Sequence, residues 1–293
     1  LPDPVIDPAK GENPTDYFNT VTYSGTSGDK AVTGVGFQPD WVWIKQRNSA
    51  ADHQLYDSVR GVTKLLESNQ TLAEQTKSEG VKSFDSDGFT HGVESAGNDN
   101  SGTHVAWNWK AGGAPTADNS AGVGATPTAG SVKIDGANLG SALAGTLAVT
   151  RLSANTKAGF SVITYTGNGS NNATVAHGLG AVPNWVFSTA RDFPTATHWA
   201  VFHSGLGNVQ HHLRLETNDA KITTDNSHFG SVDPTSSVMN IGYSGSTNTS
   251  GKTFIMYAFA EKEGYSKFGT YDDAYISNYD TDAPFVYTGF RPA

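Results

Sequence analysis

The 293-residue sequence has no cysteine and only two methionines. Without cysteine there is no disulfide framework, no thiolate metal ligand and no thiol nucleophile, although the compartment stays open because many extracellular proteins lack disulfides. Charge is also scarce. Only 16% of residues are charged, and 19 Lys plus Arg against 28 Asp plus Glu give a net charge of -9, spread without long runs of either sign. That balance argues against a phosphate-tracking groove or an anionic membrane surface, so nucleic acid is not an expected partner. No apolar stretch approaches the ~20 residues of a membrane span. The opening "LPDPVIDPAKGENPTDYF" lacks the basic start and apolar segment of a signal peptide. Its Pro and Asp make residues 1–16 read as an extended linker. The chain opens on Leu1 and stops inside what reads as a repeat, which predicts a segment of a longer polypeptide.

What is plentiful is turn chemistry and aromatic surface. There are 33 Gly and 11% aromatics among many Ser, Thr and Asn, the profile of short strands joined by polar turns. The length predicts two or more units, each with its own core. Repeats are visible by eye. "YFNTVTYSGTSGDKAVTGVGFQPDWVWIKQR" (17–47) aligns with "GFSVITYTGNGSNNATVAHGLGAVPNWVFSTAR" (159–191), matching Tyr23 to Tyr165, Pro39 to Pro183 and Arg47 to Arg191. "LYDSVRG" (55–61) resembles "VFHSGLG" (201–207), and "VAWNWKAGG" (105–113) resembles "IMYAFAEKEG" (255–264). The expected fold is all-β: tandem antiparallel β-sandwich modules, jelly-roll or lectin-like, at 17–113 and 159–265, joined by an Ala/Gly/Ser-rich linker at 114–158. The second half of that linker, with Ile134, Leu139, Leu143, Leu147, Val149 and Leu152, fits either a short strand pair or a segment docked on a neighbouring subunit. A third repeat starts within 266–293, and Val62, Leu65, Leu66 and Leu72 allow one or two helical turns within 57–80.

The repeat also decides how to read the aromatic strands. Trp41 and Trp43 become Trp185 and Phe187, and Trp107 and Trp109 become Tyr257 and Phe259, so the aromatic face is the one both copies keep large. These ladders are read as core, not as a carbohydrate platform. Functional surface is then expected on the loops where the copies differ, 48–80 and 192–212.

Candidate chemistry is thin. Asp85 with Asp87, and Asp280 with Asp282, have the alternate-carboxylate spacing of some Ca²⁺ loops, and no cofactor is expected beyond such a Ca²⁺; Asp87-Gly88 before Phe89 reads more simply as a hairpin turn. His198, His203, His211, His212 and His228 match no standard zinc spacing and read as surface or turn histidines. Arg191, Asp192, His198, Trp199 and His203 make a polar and aromatic patch of the kind that holds a sugar. No Glu-x-Asp-x-x-Glu strand, Gly-x-Ser-x-Gly elbow or His-Glu-x-x-His helix occurs, so no catalytic residue is assigned.

The phrases "TGVGFQPDWVWIKQR", "DSVRG", "SDGFTHG", "VAWNWKAGG", "VAHGLGAVPNW", "FAEKEGYSKFGTY" and "PFVYTGFRP" are similar to a repeated β-rich domain of unknown function in virion proteins of marine bacteriophages, often labelled tail fibre or structural protein. The resemblance implies a non-enzymatic component of the virion surface, partnered by other virion proteins and, by analogy with phage fibres, self-associating as a homotrimer. The alternative is an adhesion module recognising host surface polysaccharide, ahead of a polysaccharide depolymerase or a head decoration protein.

Overall fold

The computed structural model describes residues 4–193, 196–271 and 286–290. Its strands form two large sheets and two small ones. From one edge, the first large sheet runs Phe18–Ser24, Thr103–Trp109, Trp41–Gln46, Gln54–Asp57, Lys64–Glu67 and Gln75–Thr76. The second repeats the first five positions in the same order, with Phe160–Thr166, Thr253–Phe259, Trp185–Ala190, Ala200–His203 and Leu213–Arg214. Each large sheet has its own small partner. Lys30–Val32, Gly88–His91 and Val81–Asp85 pair in the first module, and Ala173–Ala176 pairs with Val238–Ile241 in the second. The chain is therefore a tandem of β-sandwich modules, and the repeat read from the sequence is a repeat of topology.

Period-two alternation explains how these sheets stack. In Trp41–Gln46, Val42 and Ile44 are fully buried against Val32, Val81 and Phe89 of the module's own small sheet. Trp41 and Trp43 point the other way, into a separate cluster with Phe160, Val162, Phe187, Ile255, Tyr257 and Phe259 of the second module. The second large sheet sorts likewise. Val186, Met256 and Phe202 face Val175, Met239 and Ile241, while their sequence neighbours face the first module. Four layers result: small, large, large, small. The aromatic faces are core, as comparing the copies indicates, but they close on each other, not on each module's own second sheet.

A shared corner marks both copies. Asn98 is fully buried; its Oδ1 accepts from the Thr26 amide at 2.8 Å and its Nδ2 donates to the carbonyls of Gly28 and Gly92. Asn248 does the same in the second module, accepting from Asn168 N at 2.8 Å and donating to Ser170 O. The hydroxyls of the matched Tyr23 and Tyr165 donate to the residue just before each asparagine, Gly97 O at 2.7 Å and Thr247 O at 2.6 Å. A Cβ on Gly25 would lie 2.0 Å from Asp99 O, and one on Gly167 2.5 Å from Thr249 O. The corner therefore requires glycine.

Three expectations change. The 57–80 stretch holds strands at Lys64–Glu67 and Gln75–Thr76 instead of helical turns, because Leu65 and Leu66 face opposite cores. Of the 114–158 stretch, 114–131 is irregular, but Val132–Ile134, Ala137–Asn138 and Val149–Asn155 are edge strands of the second large sheet, with Val132–Ile134 parallel to Val149–Asn155. That is the strand reading its spacing left open. Residues 1–16 are not simply extended: from residue 4 onward they carry 3-10 turns at Pro8–Lys10 and Pro14–Asp16, and Ile6 is buried. The centre of the third repeat, 272–285, lies outside the described residues together with Asp280 and Asp282.

Candidate functional site

The seam between the modules is built on Trp41. Its ring centroid lies 4.6 Å from Tyr257, 5.6 Å from Phe160 and 5.8 Å from Phe187. Trp185 and Trp109 continue the aromatic layer towards Phe259 at 4.8 and 6.3 Å. Such offset and tilted packing is the geometry aromatic rings prefer.

A buried charge network crosses the same seam. Arg60 Nε donates to Asp57 Oδ2 at 2.5 Å, Arg60 Nη1 to Glu74 Oε2 at 3.3 Å and Arg60 Nη2 to the Leu55 carbonyl at 3.0 Å. The second module answers from two sides. Tyr257 donates its hydroxyl to Asp57 Oδ2 at 2.7 Å, and Arg191 grips both oxygens of Glu74 through Nε and Nη2 at 2.8 and 3.1 Å. The Arg60 and Asp57 side chains are completely excluded from solvent. Burial first, then the Asp57 carboxylate, push the Tyr257 phenol up against the pull of Arg60, so it stays a donor. Burial also raises Glu74, but the hydrogen bond from Arg191 and the charge of Arg60 outweigh it and hold this carboxyl below its usual range. "DSVRG" thus supplies the seam's charge. Its match "HSGLG" in the second module places His203 and Leu206 where Asp57 and Arg60 stand, so the network has one copy, not two.

One polar position is shared by both modules. Asp40 Oδ1 accepts from the Ser58 hydroxyl at 2.7 Å, and Oδ2 accepts from the amides of Ala111 and Gly113 at 2.8 and 3.1 Å. The second module has Asn184 there, accepting from Glu261 N at 2.8 Å and donating to Ser204 Oγ at 3.4 Å. Burial raises the Asp40 carboxyl against these three hydrogen bonds. A carboxyl raised on folding keeps its proton where the unfolded chain has lost it, so stability falls as pH rises through that interval and stays lower at neutral pH. Asp40→Asn can keep all three bonds, because the Ser58 hydroxyl can turn to accept. The expected result is an unchanged thermal midpoint in acid, a raised one at pH 7 and a flatter profile between. A midpoint lowered at pH 7 would contradict it.

The sugar patch drawn from the sequence does not assemble. Trp199 is only 1% exposed, belongs to the seam and donates its Nε1 to Glu67 O at 3.0 Å. Arg191 is committed to Glu74, Asp192 accepts from Thr253 N at 2.8 Å, and His203 caps the turn Ser204–Leu206 by accepting from Gly205 N. His198 pairs through Nδ1 with Glu216. The 48–80 and 192–212 loops are not both displayed either: Glu74 N donates to Arg191 O, and Thr197 N to Thr71 O, so they meet across the seam. The Ca²⁺ reading fails on geometry, because Asp87 spends both oxygens on the amides of Gly34 and Gly36 while Asp85 accepts from Thr90. "DSDG" is the hairpin turn between Val81–Asp85 and Gly88–His91.

The histidines sort by strand parity. Across the edge pair Ala200–His203 and Leu213–Arg214, Val201 and Leu213 face the seam, whereas Ala200 and Phe202 face the second module's own core. The same alternation turns His212 and Arg214 to that second side, and His212 lies against His228 of the short helix Asn226–Phe229. His212 stacks on His228 with ring centroids 3.9 Å apart, and Asp225 Oδ2 lies 3.2 Å from His228 Nδ1. His212 is 1% exposed and both its ring nitrogens lack a partner. Burial, then the neighbouring His228, bring its pKa to about 4, and burial lowers His228 as well against the pull of Asp225. Both rings are neutral at pH 7. Sequence spacing hid this trio, because only the i,i+3 step from Asp225 to His228 is local.

The equivalence of strand order and of the asparagine corner fixes what repeats. Residues 13–137 and again 131–293 match the family described as Domain of unknown function (DUF7483). The chain belongs to that family. The two DUF7483 matches overlap at 131–137, on the strand Val132–Ile134, so the added edge strands go with the second DUF7483 copy. No curated protein and no solved structure matches the chain. Among the described residues, no helix is long and apolar enough to cross a membrane.

Proposed function

We propose that the chain is a non-enzymatic structural protein of a bacteriophage virion, a tail fibre or other surface appendage, in which two β modules act as one stiff unit. The observation that carries this reading is the seam. A shared aromatic core and a buried ionic network remove the freedom two linked modules would otherwise have, which is what a spacer that transmits force requires. The resemblance of its sequence phrases to those of phage virion proteins suggests the setting. The glycan-binding alternative is left with a cleft of about 620 Å³ lined by Tyr17, Lys110, Asp135, Asn155 and Lys157, in place of the patch around Trp199. An antibody against this chain, applied to purified virions under the electron microscope, is expected to mark a tail appendage. Unlabelled particles, with the protein recovered only from the host-cell fraction, would overturn the assignment.

A further inference from the structure

We propose that His212, Asp225 and His228 bind a divalent transition-metal ion of the zinc class, which ties the 215–225 loop and the helix Asn226–Phe229 to the sheet edge. One donor atom from each residue lies within 4.8 Å of the others. Four-coordinate zinc with its usual bond lengths spaces donors by about 3.3 Å, so binding draws the donors together and turns the stacked His212 and His228 rings, 29° from parallel, until both lone pairs meet at the ion. Two imidazoles with one carboxylate suit Zn²⁺, Co²⁺ or Ni²⁺, whereas Ca²⁺ and Mg²⁺ call for oxygen throughout.

The second observation is His212 itself. Buried polar groups are almost always satisfied, yet both ring nitrogens of His212 lack a partner, as do those of His104 in the first module; among the described residues only His212 of the two sits in a group of metal-ligating side chains. An ion between His212 and His228 would give it a partner. The surroundings already orient the other two ligands. Asp225 accepts from Ser227 N at 2.8 Å as the helix cap, and the Ser227 hydroxyl lies 3.0 Å from His228 Nδ1. His212 is held from both sides, its amide donating to Ile222 O and its carbonyl accepting from Ile222 N. The cation facing the trio is Arg214, whose Nη1 is bound to Asp219 at 3.2 Å. Asp225 opposes it, while Glu216, two residues along the chain, is taken up by His198 and the Trp199 amide. Three protein ligands leave a fourth position for water or a small anion.

The test uses the full chain without a histidine tag. Titration with Zn²⁺ alone, followed by calorimetry, is expected to give one equivalent per chain and a raised thermal midpoint, since an ion that binds only the folded state stabilises it. Co²⁺ should give visible d–d bands of a low-symmetry nitrogen and oxygen site. Asp225→Asn, which keeps the cap, should weaken binding by more than about tenfold. His228→Ala should abolish the Co²⁺ bands, and His211→Ala should change neither. No heat with wild-type protein, or Co²⁺ bands that persist in both Asp225→Asn and His228→Ala, would overturn the site. If His228→Ala does not fold, the Asp225→Asn spectrum decides alone.

Discussion

Trp41→Ala is expected to cost about 3 to 5 kcal/mol of stability, the range for removing a fully buried Trp, and to loosen the second module from within the first. Trp41 has no exposed surface; besides Trp109 of its own module at 4.2 Å, its ring packs on Tyr257, Phe160 and Phe187 of the other repeat at 4.6, 5.6 and 5.8 Å. If its ring served only its own sandwich, as Val42 does, hydrogen exchange would quicken only in the first module. Because it fills the seam, amides of Phe160–Thr166 and Thr253–Phe259 should lose protection too. Trp41→Phe is the control. The indole Nε1 makes no hydrogen bond, so a phenyl ring gives up area but no polar contact. Val42→Ala should destabilise the first module while leaving exchange across the seam closer to wild type. Protection changes in Trp41→Ala confined to residues 17–113 would show that the modules do not share this core.

Much of this architecture is legible in the sequence alone. Turn chemistry and alternation reveal the β class, and two copies of the Pro-x-Trp-Val phrase reveal the tandem. Comparing the copies also shows that the aromatic face is buried. What alternation within one strand cannot reveal is which neighbour buries it, because both faces of Trp41–Gln46 are covered and a second sheet of the same module looks the same in sequence as a second module. The same limit governs the sites. Trp199 beside Arg191 and Asp192 reads as a surface patch because the three are close in sequence, yet the edge strand turns Trp199 inward and Arg191 reaches a glutamate more than a hundred positions away, at Glu74. His212 and Asp225 lie on different elements, joined only by the fold of the intervening loop. "DSVRG" is visible as a repeat mismatch, with Asp57 and Arg60 replaced by His203 and Leu206. That mismatch is the one local sign that the first copy carries charges the second does not need.

Those charges lead to the other large expected effect. Arg60→Met removes the cation that faces both Asp57 and Glu74, leaving buried carboxylates without it, and should cost about 3 to 5 kcal/mol. Asp57→Asn alone should also destabilise, since it leaves the Arg60 guanidinium short of its carboxylate. The double variant should lose less than the sum of the two, because neither buried charge is then left facing an absent partner, and coupling of roughly 0.5 to 3 kcal/mol is the usual scale for contacting groups. Additivity within experimental error would mean that Asp57 and Arg60 act independently and that the network is not a unit. The acid side supplies a separate reading. Glu74 is held below its usual range when folded, so between that lowered value and about pH 4.5 the unfolded chain binds the extra proton. Stability from this group is therefore complete above that range and is lost as pH falls through the folded value. Arg191→Gln removes the two-pronged hydrogen bond to Glu74 and should shrink this acid-dependent loss, lowering stability at pH 7 while bringing the variant and wild type closer together in acid. Denaturant midpoints measured across that pH range, with a gap between the two proteins that stays constant, would place the acid sensitivity on other carboxylates.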